Sequence, residues 1–393
     1  MTRPFDICIR GAGIVGRTLA LHLAGKQLRV ALCAPGASQI TPSVDGIASD
    51  TGNRDVRAYA LNAASRTLLE AVRCWPQEPY STAVQAMQVF GDEGGAVRFT
   101  ATEQGTDALN WIVDVPALES RLGEAVRFQP LIELFDTPQK ATLTVVCEGK
   151  TSHTRSEWGV EWDLTPYNQW ALATRVQCEK SHAQIARQWF NAGEILAILP
   201  LGGAHGKVCA VVWSVSPERA QALQADSDDA FCSALVQASH NELGALSLTS
   251  QRGIWPLQQA LARRWCGTAE SGAWVLAGDA AHNVHPLAGQ GLNLGLGDVA
   301  ELVQVLSTRP YWRSVGDMRL LRAYERARKA DFALIGNTGD AIQQLFANPN
   351  PALQTLRNWG MNQFGHNGPL KHWITQRAMG KAHTTPPPRK VSP

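Results

Sequence analysis

The sequence predicts an α/β protein: a Rossmann-like domain interrupted by a second, α+β unit built on an antiparallel sheet. Three observations predict this. The chain opens as strand, glycine-rich turn, helix and strand. Its middle is a run of short strand-like segments separated by glycine, proline and histidine. A last apolar strand, Trp274 to Ala277, runs into another glycine-rich turn and a helical pattern. Strands alternating with helices at both ends indicate a parallel sheet, and consecutive short strands between them an antiparallel one.

Each element has a local reason. Phe5 to Arg10 alternates and is rich in strand formers, and Gly11 to Gly16 turns the chain. Leu19, Ala20 and Leu23 then mark a helix, and Leu28 to Ala34 a second strand that ends at Pro35-Gly36. Residues 37–54 are rich in Gly, Ser, Thr and Asp and read as a loop. Ala58 to Val72 reads as a helix, with Leu61, Leu68, Leu69 and Val72 on one side. Strands are expected at Val84–Phe90, Ala96–Thr100, Trp111–Val113, Thr142–Cys147, Ala171–Val176, Ile195–Leu199 and Val208–Trp213, and helices at Pro116–Leu122 and 218–240. Val299, Leu302, Val303 and Leu306 keep helical spacing, and Leu320 to Gly336 continues as helix. Residues 384–393 are proline-rich and basic and are expected to be a disordered tail.

Composition excludes several classes. The chain of 393 residues suits two packed domains rather than one core. Lys plus Arg is 36 against 34 for Asp plus Glu, and this net charge of +2 gives no reason to expect a nucleic-acid partner. The 8 cysteines form no CxxC pair and sit mostly in apolar runs, which reads as buried thiols in a reducing compartment. No stretch approaches the roughly 18 apolar residues of a membrane span, and Met1 to Asp6 has no signal-peptide pattern. The expectation is a cytoplasmic protein, with peripheral contact to the inner membrane left open.

The first glycine cluster reads Gly11-Ala12-Gly13-Ile14-Val15-Gly16. Gly11 permits the tight turn, Gly13 lets backbone approach a pyrophosphate, and Gly16 lets helix and strand pack closely. The helix start presents free N–H groups to phosphate. The acid that usually ends the second strand and binds a ribose hydroxyl is missing, because Val30 to Pro35 reads VALCAP.

The second cluster, residues 275–299, reads VLAGDAAHNVHPLAGQGLNLGLGDV and resembles the second FAD-binding motif of the class A flavoprotein monooxygenases. By that resemblance Asp279 binds a ribityl hydroxyl, and Pro286 to Asn293 lies along the flavin ring. Backbone N–H groups of Gly289, Gln290 and Gly291 come near the pyrimidine edge, and Leu292 belongs to the same stretch. Helix-terminal N–H groups there would stabilise the charge of reduced flavin. His282 and His285 form an HxxH pair, but no third ligand is in view and no metal is expected. The family's intermediate Asp-Gly motif is matched by Glu148-Gly149, followed by Ser152 and Arg155, with Glu in place of Asp.

Within that superfamily the chain resembles the ubiquinone-biosynthesis hydroxylases, through Asp55 to Leu61, Ala197 to Leu201, Val212 to Ser214, Leu321 to Arg328 and Ala378 to Gly380. The resemblance implies a p-hydroxybenzoate-hydroxylase-like FAD-binding domain over 1–83, 141–165 and 262–345, with a substrate domain of 84–140 and 166–261 inserted. It implies FAD and NAD(P)H as cofactors, with O2 and a polyprenylated phenol as substrates, and hydroxylation through a C4a-hydroperoxyflavin. Arg57 is the charged residue expected nearest the flavin, with a surface salt bridge as its other reading. No catalytic base is identified, since the cofactor carries the chemistry. A C-terminal helical segment, 346–383, carries Leu353, Leu356, Trp359, Leu370, Trp373 and Ile374 beside Lys371, Arg377 and Lys381. It is read as packing on the FAD domain, or as lying on a bilayer. Two alternatives stay open: a hydroxylase of a soluble phenol, and a weakly flavin-binding docking partner in a biosynthetic complex.

Overall fold

A computed structural model describes residues 4–36, 55–91, 95–284 and 290–347, the side chains of 290 and 334–347 excepted. Its first layer is a six-stranded sheet in the order Cys266–Ala269, Gly272–Leu276, Ala141–Val146, Phe5–Arg10, Val30–Cys33, Ile132–Phe135. The last five strands are parallel. Their centres are continuous apolar runs because both faces are covered: Ile7 and Ile9, Val30 and Leu32, Leu143 and Val145, and Val275 are all fully buried.

Helix α1 (Ile14–Ala24) packs on this sheet through Leu19, Ala20 and Leu23. Helix α2 (Ala63–Ala71) begins at Asn62, whose side chain accepts from Ser65 N. The segment read as one helix from Ala58 to Val72 is thus split. Ala58–Leu61 is a strand paired with Asn110–Asp114, which also pairs Ser81–Val84. The cross-strand partner and the Asn62 cap together override the helical spacing.

Helix α3 (Val115–Arg127) packs against α1, and Arg17 Nη1 donates to Glu119 O at 3.0 Å. Its strand, Ile132–Phe135, forms the edge of the parallel sheet beside Val30–Cys33. Residues 115–135, expected in the inserted unit as part of 84–140, pack on α1 and the parallel sheet. An edge strand four residues long that is only partly buried carries no continuous apolar run to announce it.

The inserted unit is a nine-stranded sheet in the order His282–Asn283, Gly253–Ala262, Trp162–Cys178, Val208–Val215, Glu194–Leu201, Ile185–Asn191, Ala86–Phe90, Ala96–Thr100, with Leu246–Leu248 paired beside Trp162–Cys178. It is antiparallel as expected, except where Ile185–Asn191 runs parallel to Ala86–Phe90. Its two faces differ in side-chain size. Leu172, Trp189, Leu196, Ile198, Val211 and Trp213 pack on one face. They meet Leu223 of α5 (Pro217–Ala225) and Phe231 and Leu235 of α6 (Asp228–Ala238), after the short α4 (His153–Glu157). The other face turns toward the first layer.

Helix α7 (Gln290–Ser307) follows the second glycine cluster, and α8 (Met318–Ala347) returns along it. No helix among the described residues is long and apolar enough to cross a membrane. The amphipathic segment from 348 onward and the tail lie outside the described residues.

Candidate active site

The parallel sheet changes winding direction at Phe5–Arg10, whose neighbours are Val30–Cys33 on one side and Ala141–Val146 on the other. Ligands bind outside the carboxyl ends of strands at such a point. Three turns leave adjacent strand ends there. Gly11 N donates to Cys33 O at 2.7 Å, Cys147 N to Arg10 O at 2.7 Å, and Ala277 N to Val146 O at 3.0 Å.

A cavity of about 1030 Å³ opens among these turns. Gly11, Gly13, Ile14, Val15, Arg57, Glu148, Gly149, Asp279, Gly291 and Leu292 all line it, so ten of the residues singled out in the sequence are brought together. Gly11 has φ +109°, and a Cβ there would lie 2.3 Å from Cys147 O. A Cβ on Gly16 would lie 1.9 Å from Gly11 O, so Gly16 serves the close packing of turn and helix. Gly13 differs: nothing lies within 4 Å of its Cβ position. It caps α1 without a side-chain hydrogen bond and no acid sits in the first turn, which leaves the helix-start N–H groups to an anion. Gly149 and Gly291 likewise have no neighbour within 4 Å.

Glu148 turns back on its own loop. Its carboxylate accepts from Ser152 Oγ at 2.7 Å, Thr154 N at 3.0 Å and Thr154 Oγ1 at 2.5 Å, and so caps the start of α4. Arg155 then ties this loop to the second cluster. It donates to Lys150 O at 2.8 Å and Ala280 O at 3.1 Å, and its guanidinium lies 3.7 Å from the Trp162 ring centre.

Asp279 sits on a short turn of Gly278–Ala280. Burial pushes its carboxyl up, and the charges of Lys150, His282 and Arg57 offset only part of that. The turn is held from below by Asp298 of α7, which is fully buried. Asp298 accepts from Gly278 N at 2.7 Å, His282 Nε2 at 2.6 Å and Arg328 Nε at 2.7 Å. Burial raises the Asp298 carboxyl, but His282 and Arg328 more than reverse this and hold it below the ordinary carboxylate range. His282 also stacks on Trp265, with ring centres 4.9 Å apart. Its Nε2 is therefore engaged with Asp298; His285, the other half of the HxxH pair, lies outside the described residues. So do Pro286 and Gly289, and so does the side chain of Gln290.

Asn293, buried on α7, makes three hydrogen bonds within the protein. Its Oδ1 accepts from Asn62 N at 3.0 Å and Ser65 Oγ at 2.7 Å, and its Nδ2 donates to Ala60 O at 2.8 Å. The carboxamide fastens α7 to the start of α2.

Arg57 lines the cavity, and its guanidinium forks onto Asp55. Two residues missed in the sequence complete the picture. Arg175, from the inserted sheet, donates to Val56 O at 3.3 Å, Asp55 O at 3.4 Å and Arg57 O at 3.3 Å, and pairs with Asp114 Oδ2 at 2.6 Å. Glu119 of α3 lines the cavity beside Arg57. No spacing rule ties either residue to the glycine motifs, because each arrives through a long-range contact. Replacing Arg175 by methionine is expected to lower stability by about 1–3 kcal/mol, since Asp114 loses its cation and three carbonyls lose their donor. The urea unfolding midpoint measures this, and an unchanged midpoint would contradict the clamp.

The glycine cradle, the uncapped helix start and the inward Asp279 suit a dinucleotide bearing phosphates and hydroxyls. The chain belongs to the FAD-binding domain family, which its residues 137–334 match. Its relatives are more particular. It is 29% identical to the 3-demethoxyubiquinol 3-hydroxylase of Escherichia coli (strain K12), over 96% of this chain and 99% of that protein. It is 28% identical to the ubiquinone hydroxylase UbiL of Rhodospirillum rubrum, over 98% of this chain and 92% of that one. The fold matches the crystal structure of PqsL, a probable FAD-dependent monooxygenase from Pseudomonas aeruginosa, with TM-score 0.71 and 20% identity over 92% of this chain and 100% of that chain.

Proposed function

We propose that this protein is an NAD(P)H-dependent flavoprotein monooxygenase that hydroxylates the aromatic ring of a ubiquinone precursor, a polyprenylated phenol, with O2. The observation that carries the reading is the continuity of the cavity. The glycine turns at one end and the small-residue face of the inserted sheet at the other line a single space. Its volume of about 1030 Å³ sits at the upper end of the roughly 300–1000 Å³ usual for ligand pockets, room for a cofactor and a second molecule.

FAD, when bound, supplies the activation of O2 that puts one oxygen atom on the ring. The chain's own residues bind and orient. The α1 start and Gly13 receive the pyrophosphate, Asp279 takes a ribityl hydroxyl, and Glu119 takes the part of the missing ribose-binding acid. Gly149 and Gly291 keep side chains off the flavin. Arg57, held in place by Asp55 and by the Arg175 clamp on its backbone, sets a positive charge at the cavity wall. Apolar side chains on the sheet side, Met87, Phe99, Leu199 and Trp255 among them, exclude water from the reacting ring. In the proposed division, the FAD-binding domain comprises 1–83, 115–165 and 262–345, and the substrate domain 84–114 and 166–261. The C-terminal segment from 348 onward is the proposed contact with a membrane surface.

The test is the visible spectrum of the purified protein, loaded with FAD and passed through gel filtration, followed by NAD(P)H oxidation with prenylated phenols. Retained flavin and a product heavier by one oxygen are expected. Folded protein that keeps no flavin, or NAD(P)H oxidation that never yields hydroxylated product, would overturn the reading.

A further inference from the structure

Helices α7 and α8 form a hairpin whose turn, 308–317, displays two aromatic side chains to solvent. Tyr311 is 94% exposed and Trp312 is 71% exposed. They are the only adjacent pair among the exposed large hydrophobic side chains of the described residues. Their rings meet edge to face, with centres 5.1 Å apart. The turn that carries them is braced. Arg309 donates to Leu306 O and, at 3.3 Å, to Arg313 O, while Arg313 N donates to Pro310 O at 2.9 Å. Val315 anchors the turn in the core of the first layer. The aromatic pair is thus held out in water by a fixed loop, although burying it would be favourable.

Directly after the turn, the outer face of α8 is cationic. Arg319, Arg322 and Arg326 are exposed, and helical spacing puts them within about 60° of arc. The opposite side of the helix buries Leu321, Tyr324 and Arg328. Residues 309–331 carry 7 cationic and 3 acidic side chains, although the whole chain is only +2. The three acids are already engaged: Asp317 with Arg313, Asp331 with Arg328 and Glu325 with Lys329. None of them faces the three outer arginines, whose guanidinium groups have no hydrogen bond or ion pair among the described residues. The charge of this face is therefore uncompensated within the described residues.

We propose that the hairpin tip and the Arg319, Arg322 and Arg326 face of α8 form a docking surface for a lipid bilayer bearing anionic headgroups. Tryptophan and tyrosine rings settle at headgroup depth, with the apolar body toward the acyl chains and the polar edge toward water. The free guanidinium groups meet the lipid phosphates, which supply the charge that the protein lacks on this face. The choice of a bilayer over an acidic protein rests on the proposed membrane contact of the segment from 348 onward. That segment follows α8 at its other end, so one surface lying along the helix meets the tip, the arginines and the segment together. The surface does not depend on the reading of the cavity, because vesicle binding is measured without turnover.

The experiment sediments the full-length, FAD-loaded protein with vesicles of phosphatidylcholine alone and of phosphatidylcholine mixed with phosphatidylglycerol. Wild-type protein is expected to bind the anionic vesicles more tightly, with binding that weakens as salt rises. Each arginine near such a surface is worth about fivefold, so Arg319→Gln/Arg322→Gln/Arg326→Gln should weaken binding about 100-fold and flatten the salt dependence. Tyr311→Ser/Trp312→Ser should weaken it about tenfold on both kinds of vesicle. The substituted side chains are exposed, so FAD content and the urea unfolding midpoint should not change. Both variants keep the segment from 348 onward. If they bind as wild type does, the surface proposed here falls and the contact of that segment stands. Wild-type protein that binds neither vesicle would overturn both membrane contacts and leave the hydroxylase reading untouched. Dimers that form with rising concentration and vanish in Tyr311→Ser/Trp312→Ser would assign the tip to a second copy of the chain instead.

Discussion

Gly13→Leu is expected to give a folded protein that retains no FAD, whereas Gly11→Ala is expected to fail earlier, at folding. The two positions sit two residues apart in the same turn and look equivalent in the motif. The space around them differs. No atom lies within 4 Å of a Cβ at Gly13, so a leucine there meets only the cavity. Its cost to the fold is the loss of a tolerated helix-cap residue, about 1 kcal/mol. Its cost to the ligand is the whole close approach of backbone to phosphate, and flavin should be absent after gel filtration. At Gly11 the backbone has φ +109°, and a Cβ would stand 2.3 Å from a main-chain oxygen. Left-handed strain and overpacking together are worth about 2–5 kcal/mol, and main chain cannot rotate away. Circular dichroism and urea unfolding separate the cases. A Gly13→Leu protein with stoichiometric flavin would remove the turn from the cofactor site.

Asp298→Ala is the second large effect, and it acts at a distance from the cavity. The carboxylate is fully buried and accepts from Gly278 N, His282 and Arg328 together. Removing one partner of a buried ion pair costs about 3–5 kcal/mol, because the remaining charge is left without compensation. Arg328, 6% exposed, would be that charge, with only the half-buried Asp331 at 2.5 Å still facing it, so the cost should fall at the lower end of this range. The turn bearing Asp279 would lose its anchor, so FAD affinity should fall along with the unfolding midpoint. The double variant Asp298→Ala/Arg328→Met should recover part of the stability but none of the Gly278 anchor, so stability and flavin retention should separate. The same network sets an acid limit. The Asp298 carboxyl is held below its ordinary value of 3.8, so its contribution is fully present above that pH and is lost as pH falls through the lower folded value. Wild-type protein should therefore lose stability in the acid range more steeply than Asp298→Asn. Equal slopes for the two would rule out this role.

Much of the site could be read from residue order, and the reasons differ by element. Gly11, Gly13 and Gly16 act within one turn, so their spacing carries their function. Asp279 reaches the cavity because its turn directly follows a strand of the parallel sheet. Glu148 reaches the cavity wall as its motif position predicts, and only the fold shows that its longer carboxylate also caps α4. Asn293 belongs to the motif too, yet its carboxamide fastens two distant segments. Ala58 to Leu61 has helical spacing and becomes a strand because Trp111 to Asp114 offers it a ladder.

Residue order alone carries the fold class, the first glycine turn and the family, because each depends on patterns among residues close along the chain. Only long-range packing brings Glu119 to the cavity, sets Arg175 on the Arg57 loop, and docks α3 and its edge strand. Those placements arise from strand register and packing between segments far apart in the chain. Side-chain direction alternates with each residue of a strand, so a shift of one position would reverse every one of them.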